Sequence, residues 1–223
     1  MYKIRGVSLD FLTVLFLALS GFVAAFFDSV VGGGGLIATP ALMMVGLPVH
    51  MVLGSNKLAA VMSDIVGCTN FIRAKKVNFE LIWQPMLLAA LFSSLGSYIA
   101  TLVSVAFMSN LVVIMLIIVA VYTMITKNFG EIKAANINTK FINLATLVIG
   151  FYTGFFGPGA GSFWVFALVM AGFNFIGAAA NTRLINFSAN IAGLAVFGWL
   201  QGAAILLVFA GVFLVTASKG RTA

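Results

Sequence analysis

Charge is what this sequence lacks. Only 8% of its 223 residues are Asp, Glu, Lys or Arg, and just five are acidic. Soluble domains carry about 25% charged residues, so this chain cannot furnish a soluble globular surface. Cysteine is reduced to Cys68 and histidine to His50, which excludes a disulfide scaffold and any clustered His/Cys metal centre. Disorder is excluded too, because it needs low hydrophobicity and high charge. No nucleophile elbow, zinc spacing or paired-carboxylate arrangement is present, so the sequence names no catalytic residue, no metal site and no cofactor. The expectation is that the protein is not an enzyme. What is abundant is apolar: 62% of residues are hydrophobic and the mean hydropathy is +1.17. The fold class that remains is an all-α polytopic membrane protein, whose first partner is the lipid bilayer.

The net charge of +7 does not indicate nucleic acid. Most basic residues, among them Lys3, Arg5, Arg73, Lys75, Lys76, Lys127, Lys219 and Arg221, sit just outside apolar runs, where topology-setting charge belongs. Those runs read as 11–31, 36–49, 57–72, 82–104, 108–126, 141–157, 162–176, 181–200 and 203–218. The first is too long for a signal-peptide core and reads as a retained helix. Trp83, Trp164 and Trp199 fall near run ends, as interfacial anchors do. The methionines read as core filler, Cys68 as a small apolar residue, and His50 as a lone turn residue.

A polar stretch, 127–140, divides the chain. Shifting the sequence by 126 residues pairs 32–72 with 158–198 without a gap and matches Gly33 with Gly159, Gly35 with Gly161, Gly46 with Gly172 and Gly67 with Gly193. Lys57 pairs with Arg183 and Asp64 with Asn190. The expected organisation is a first transmembrane repeat at 1–126, a cytoplasmic linker at 127–140 and a second repeat at 141–223. Related halves with short, glycine-interrupted helices at matching places point to a transporter, because broken helices at membrane depth are tolerated where protein or a wet cavity satisfies the backbone.

Two constellations carry the functional expectation. The first is Asp28-Ser-Val-Val-Gly-Gly-Gly-Gly-Leu-Ile-Ala-Thr-Pro40 with its counterpart Gly157-Pro-Gly-Ala-Gly161. Gly33, Gly34, Gly35, Gly159 and Gly161 would supply open N–H groups at helix starts, a natural anion seat; close helix packing through small residues is the competing reading. The second is Asn56-Lys57, matched by Thr182-Arg183. An ionisable side chain at membrane depth normally faces the interior and has a function, whereas a cation at a helix end can snorkel to the headgroups. Asn186 and Asn190 follow Thr182 at four-residue spacing on one helix face, lining either a pathway or a helix–helix seam. Asp28 and Asp64 are the two acidic candidates for proton coupling or for pairing with a cation. The cations are expected to reach the glycine turn of their own half.

These motifs resemble a known family. Asp28-Ser-x-x-Gly-Gly-Gly-Gly-Leu-x-x-x-Pro40, Gly46-Leu-Pro48, Asn56-Lys57 and Phe71-Ile-Arg73 are similar to the sulfite exporter TauE/SafE family; Gly154-Phe-Phe-Gly-Pro-Gly-Ala-Gly-Ser162, Gly172-Phe-Asn174 and Leu184-x-Asn186-x-x-x-Asn190 resemble its second repeat. The resemblance implies a multi-pass inner-membrane permease for sulfur-containing or organic anions, with a small anionic substrate as partner. Against that pattern the second repeat lacks its last element, which a second protomer of a homo-oligomer could supply. A channel and a non-transporting assembly subunit are the alternative functions. Charge bias puts 73–80 and 127–140 on the cytoplasmic side, whether the repeats are inverted or parallel.

Overall fold

The computed structural model describes residues 2–4, 7–31, 33–125 and 137–197. Among these residues, eight helices follow a short antiparallel ladder of β1 (Tyr2–Ile4) and β2 (Val7–Leu9). They are α1 (Phe11–Val31), α2 (Gly35–Met44), α3 (Val49–Arg73), α4 (Phe79–Leu102), α5 (Val105–Ile125), α6 (Thr139–Phe155), α7 (Ala160–Met170) and α8 (Phe175–Phe197). The apolar run 203–218, Trp199, Lys219 and Arg221 lie outside the described residues, as does most of the 127–140 linker. The chain is helical as expected, with the N-terminal ladder as the addition.

Local chemistry sets the helix starts. Asp10 accepts from the Thr13 N–H at 3.0 Å and so caps α1; hydrogen bonds from Thr13 hold this exposed carboxyl below the ordinary Asp value. Asn138 caps α6 through Phe141 N–H at 3.1 Å, and Asn174 caps α8 through Gly177 N–H at 2.7 Å. Such side-chain acceptors satisfy N–H groups that a helix cannot pair internally. The ends of α2 and α7 close alike: Gly46 and Gly172 donate to Met43 and Val169, and Leu47 and Phe173 reach back to Leu42 and Leu168. At the end of α3, Lys75 takes a left-handed φ of 54° while Lys76 N–H bonds Phe71 O.

Two helices start earlier than the apolar runs suggest. Ser55, Asn56 and Lys57 interrupt the hydrophobic signal, yet α3 begins at Val49, so Lys57 sits more than two turns inside it. Arg183 is equally deep in α8. The polar residues do not break these helices because other helices, not lipid, cover them: Lys57 and Asp64 are fully buried. His50, read as a turn residue, is in the first turn of α3 with Nε2 3.1 Å from Ala100 O.

Small residues bring α4 and α6 together. A Cβ on Gly154 would stand 1.9 Å from Ser93 O, and one on Gly96 would stand 2.2 Å from Phe151 O. The backbones therefore touch, which is how helices associate where lipid removes the hydrophobic drive between them. Around this seam lies a core of Ile82, Ala89, Ile142, Trp164, Leu168 and Ile185. Trp164 is consequently no interfacial anchor: it is buried, with Nε1 bonded to Thr153 Oγ1 at 3.3 Å. Met108 does fill core, but Met44, Met62 and Met170 are exposed. The exterior is apolar, with Phe11, Leu12, Phe22, Phe26, Leu91 and Val148 among its exposed side chains. Among the described residues, Phe11–Asp28 and Phe79–Leu102 are long and apolar enough to cross a membrane.

Candidate functional site

The two glycine segments meet. Residues 33–34 and 157–159 are non-helical, while Gly35 and Gly161 already belong to the first turns of α2 and α7, so each break is shorter than its glycine run implies. A Cβ on Gly35 would approach Pro158 Cα to 3.0 Å and Asn56 Oδ1 to 2.5 Å. Gly33 faces Ser162 Oγ in the same way at 3.6 Å. Gly157 and Gly159 have φ of 93° and 78°, a left-handed conformation that costs a side-chain-bearing residue about 1–2 kcal/mol. Tyr152 Oη donates to Pro158 O at 2.6 Å and pins this second turn. The glycines thus pack closely and also lie at the starts of α2 and α7.

Each cation crosses to the other segment. Lys57 donates to Thr153 O, in the last turn of α6, and a Cβ on Gly157 would lie 3.8 Å from its Nζ. Arg183 donates from Nη2 to Asp28 O, near the end of α1, and from Nη1 to Asp28 Oδ2 at 3.4 Å and Asp64 Oδ1 at 3.2 Å. The expectation that each cation serves its own half's turn is therefore corrected. Both are also too buried to snorkel. The physical reason is at the helix ends: the last carbonyls of α1 and α6 lack helical partners and carry the negative end of the dipole, so a cation there is stabilised. Glycines make the room. A Cβ on Gly67 would meet Arg183 Cδ at 2.9 Å, and one on Gly193 would meet Lys57 Nζ at 3.3 Å.

Asp64 is the hub of the remaining polar groups. Its Oδ2 accepts from Asn186 Nδ2 at 2.9 Å and from Asn190 Nδ2 at 3.3 Å. Through Asn186 and Asn190 the polar stripe on α8 forms a helix–helix seam with α3, and both residues also line a cavity. Thr182, the third member, is buried with its hydroxyl unpartnered among the described residues. Asp28 accepts from Gly34 N–H at 3.3 Å and from the Ser63 hydroxyl. A carboxylate at the start of α2 is favourably placed against the helix dipole.

The cavity holds about 460 Å³ and lies among α1, α2, α3, α8 and the 157–161 turn. Asp28, Gly34, Gly35, Asn56, Gly159, Gly161, Asn186 and Asn190 line it; Gly33, Lys57, Asp64 and Arg183 stand behind that lining. Among the lining residues Asp28 is the charged one. Sequence reasoning missed Thr153, Ser93 and Ser97, whose carbonyl and hydroxyl groups surround Lys57 Nζ and Gly193. The spacing Ser93-x-x-x-Ser97 in a long apolar helix was the available signal.

A family model, sulfite exporter TauE/SafE, matches residues 17–220. The chain belongs to the sulfite exporter TauE/SafE family. It is 37% identical over 204 residues to a probable membrane transporter protein of Haemophilus influenzae, covering 90% of this chain and 78% of that one. It is 35% identical over 192 residues to the probable membrane transporter protein ORF9 of Sinorhizobium sp., covering 85% and 74%. The probable membrane transporter protein YfcA of Escherichia coli K12 shares 36% over 180 residues, covering 78% and 66%. No solved structure gives a significant match. Membership makes this a membrane protein of the transporter class, and the glycine turns, both cations and the Asp64 cluster all fall within the matched region.

Proposed function

We propose that the protein is a multi-pass secondary transporter of the cell inner membrane that moves small anions, of which sulfur oxyanions such as sulfite and sulfonates are the class the family name suggests. The single observation that carries the reading is the junction of the two glycine turns on one cavity, with Lys57 and Arg183 buried behind it. The two helix starts bring backbone N–H groups to that space, an arrangement that favours an anion.

We read the chain as two related halves, 1–126 and 141–223, joined by a cytoplasmic linker at 127–140. The reading is supported by the reciprocal crossing of Lys57 and Arg183 and by the bond between Asp64 and Asn190, positions 126 residues apart. With 10 and 11 residues, α2 and α7 each span about half of a 30 Å hydrocarbon core. In broken-helix transporters such half-helices border the substrate, and one half rocks against the other.

The test is counterflow of radiolabelled sulfite, methanesulfonate and acetate into proteoliposomes holding the purified protein. Saturable exchange of a sulfur oxyanion is expected. Flux no greater than in empty liposomes overturns the reading, and a non-saturating conductance replaces it with a channel.

A further inference from the structure

Counting charge around the cavity leads beyond the substrate class. Arg183 and Lys57 contribute two positive charges, Asp28 and Asp64 two negative ones, and all four are buried or nearly so. The empty cluster is therefore neutral. A monovalent anion entering alone would leave one uncompensated charge in a low-dielectric interior, which is strongly unfavourable. The seat is also occupied: Asp28 puts one oxygen on Gly34 N–H and the other within reach of Ser63 and Arg183. It holds the donors that an incoming anion needs.

We propose that anion and proton bind together, one for one, and that Asp28 carries the proton. This rests on the anion reading above and adds its coupling. In the step, a proton from water joins an Asp28 carboxylate oxygen. The Gly34 N–H and Arg183 contacts to that carboxylate are released, and the anion takes them. By formal charge the cluster is neutral before and after. Geometry selects Asp28 over Asp64, because Asp28 is on the cavity surface whereas Asp64 lies behind it, tied by Arg183, Asn186 and Asn190. The ionisable groups facing Asp28 are Arg183 from α8 and Asp64 from α3; α2, α7 and the 157–159 turn carry none. A second observation points to a ligand here: Asn186 Oδ1, in the same wall, is buried without a partner among the described residues.

Methanesulfonate is the probe, because its own charge is fixed across the working pH range. Adding it to the purified protein in weakly buffered detergent should remove one proton from solution per anion bound, with affinity weakening by up to about tenfold per unit as the pH is raised. In proteoliposomes, an inward proton gradient should drive methanesulfonate accumulation. Asp28→Asn should abolish that accumulation and flatten the pH profile of exchange, while Asp28→Glu should keep both. Binding by the wild type without proton uptake overturns the proposal, as does gradient-driven accumulation by Asp28→Asn. The coupling fails alone if exchange occurs without protons; absence of exchange by the wild type removes the anion reading and the coupling with it.

Discussion

Arg183 illustrates how a residue's type can be legible while its partner is not. A lone arginine among apolar residues announces an interior role. Its actual ties, to Asp28 and Asp64 from α8, depend on a tertiary crossing that no local pattern encodes. Removing one member of a buried ion pair costs roughly 3–5 kcal/mol, because the other charge stays behind. Arg183→Gln should therefore lower thermal stability in detergent sharply, and adding Asp64→Asn should restore a large part of it. Equal melting temperatures for wild type and Arg183→Gln would remove the ion pair from the account. Glycines divide just as clearly. Gly154→Ala places a methyl against Ser93 O, an overpacking that costs about 1–3 kcal/mol or more. Gly21→Ala meets nothing within 4 Å and should be neutral or slightly stabilising. A fluorescence-detected melting series comparing the two variants checks both outcomes.

At the scale of elements, the apolar runs located all eight described helices but misplaced the starts of α3 and α8. Hydropathy treats Ser55-Asn56-Lys57 and Asn181-Thr182-Arg183 as breaks, although buried partners satisfy much of what they carry. Asn181 shows this directly: its Oδ1 accepts from Asn78 N–H at 2.9 Å and its Nδ2 donates to Gly177 O at 2.7 Å. The close α4–α6 seam was legible only as scattered small residues, since its register depends on the partner helix. Sidedness remains a matter of charge bias. Cysteines introduced at Asn78 and Asn136, in a Cys68→Ser background, should both resist impermeant thiol reagents applied to whole cells and react after permeabilisation. Labelling of either one in intact cells would place that loop outside.

At the scale of the whole molecule, membrane class and the glycine–cation–carboxylate inventory were readable from residues alone. The assembly was not. Only the packed chain brings residues 33–35 against 157–161 and sends each cation to the opposite segment. It also leaves Asp28 on the cavity surface while Asp64 stays behind it. The central claim is that this cavity is where the anion resides during transport. Ala38, on α2, lines it and belongs to neither ion pair. The decisive measurement is methanesulfonate counterflow by Ala38→Phe in proteoliposomes, alongside its melting temperature in detergent. Exchange should be lost while the melting temperature stays near that of the wild type. Wild-type exchange through the filled cavity would contradict it.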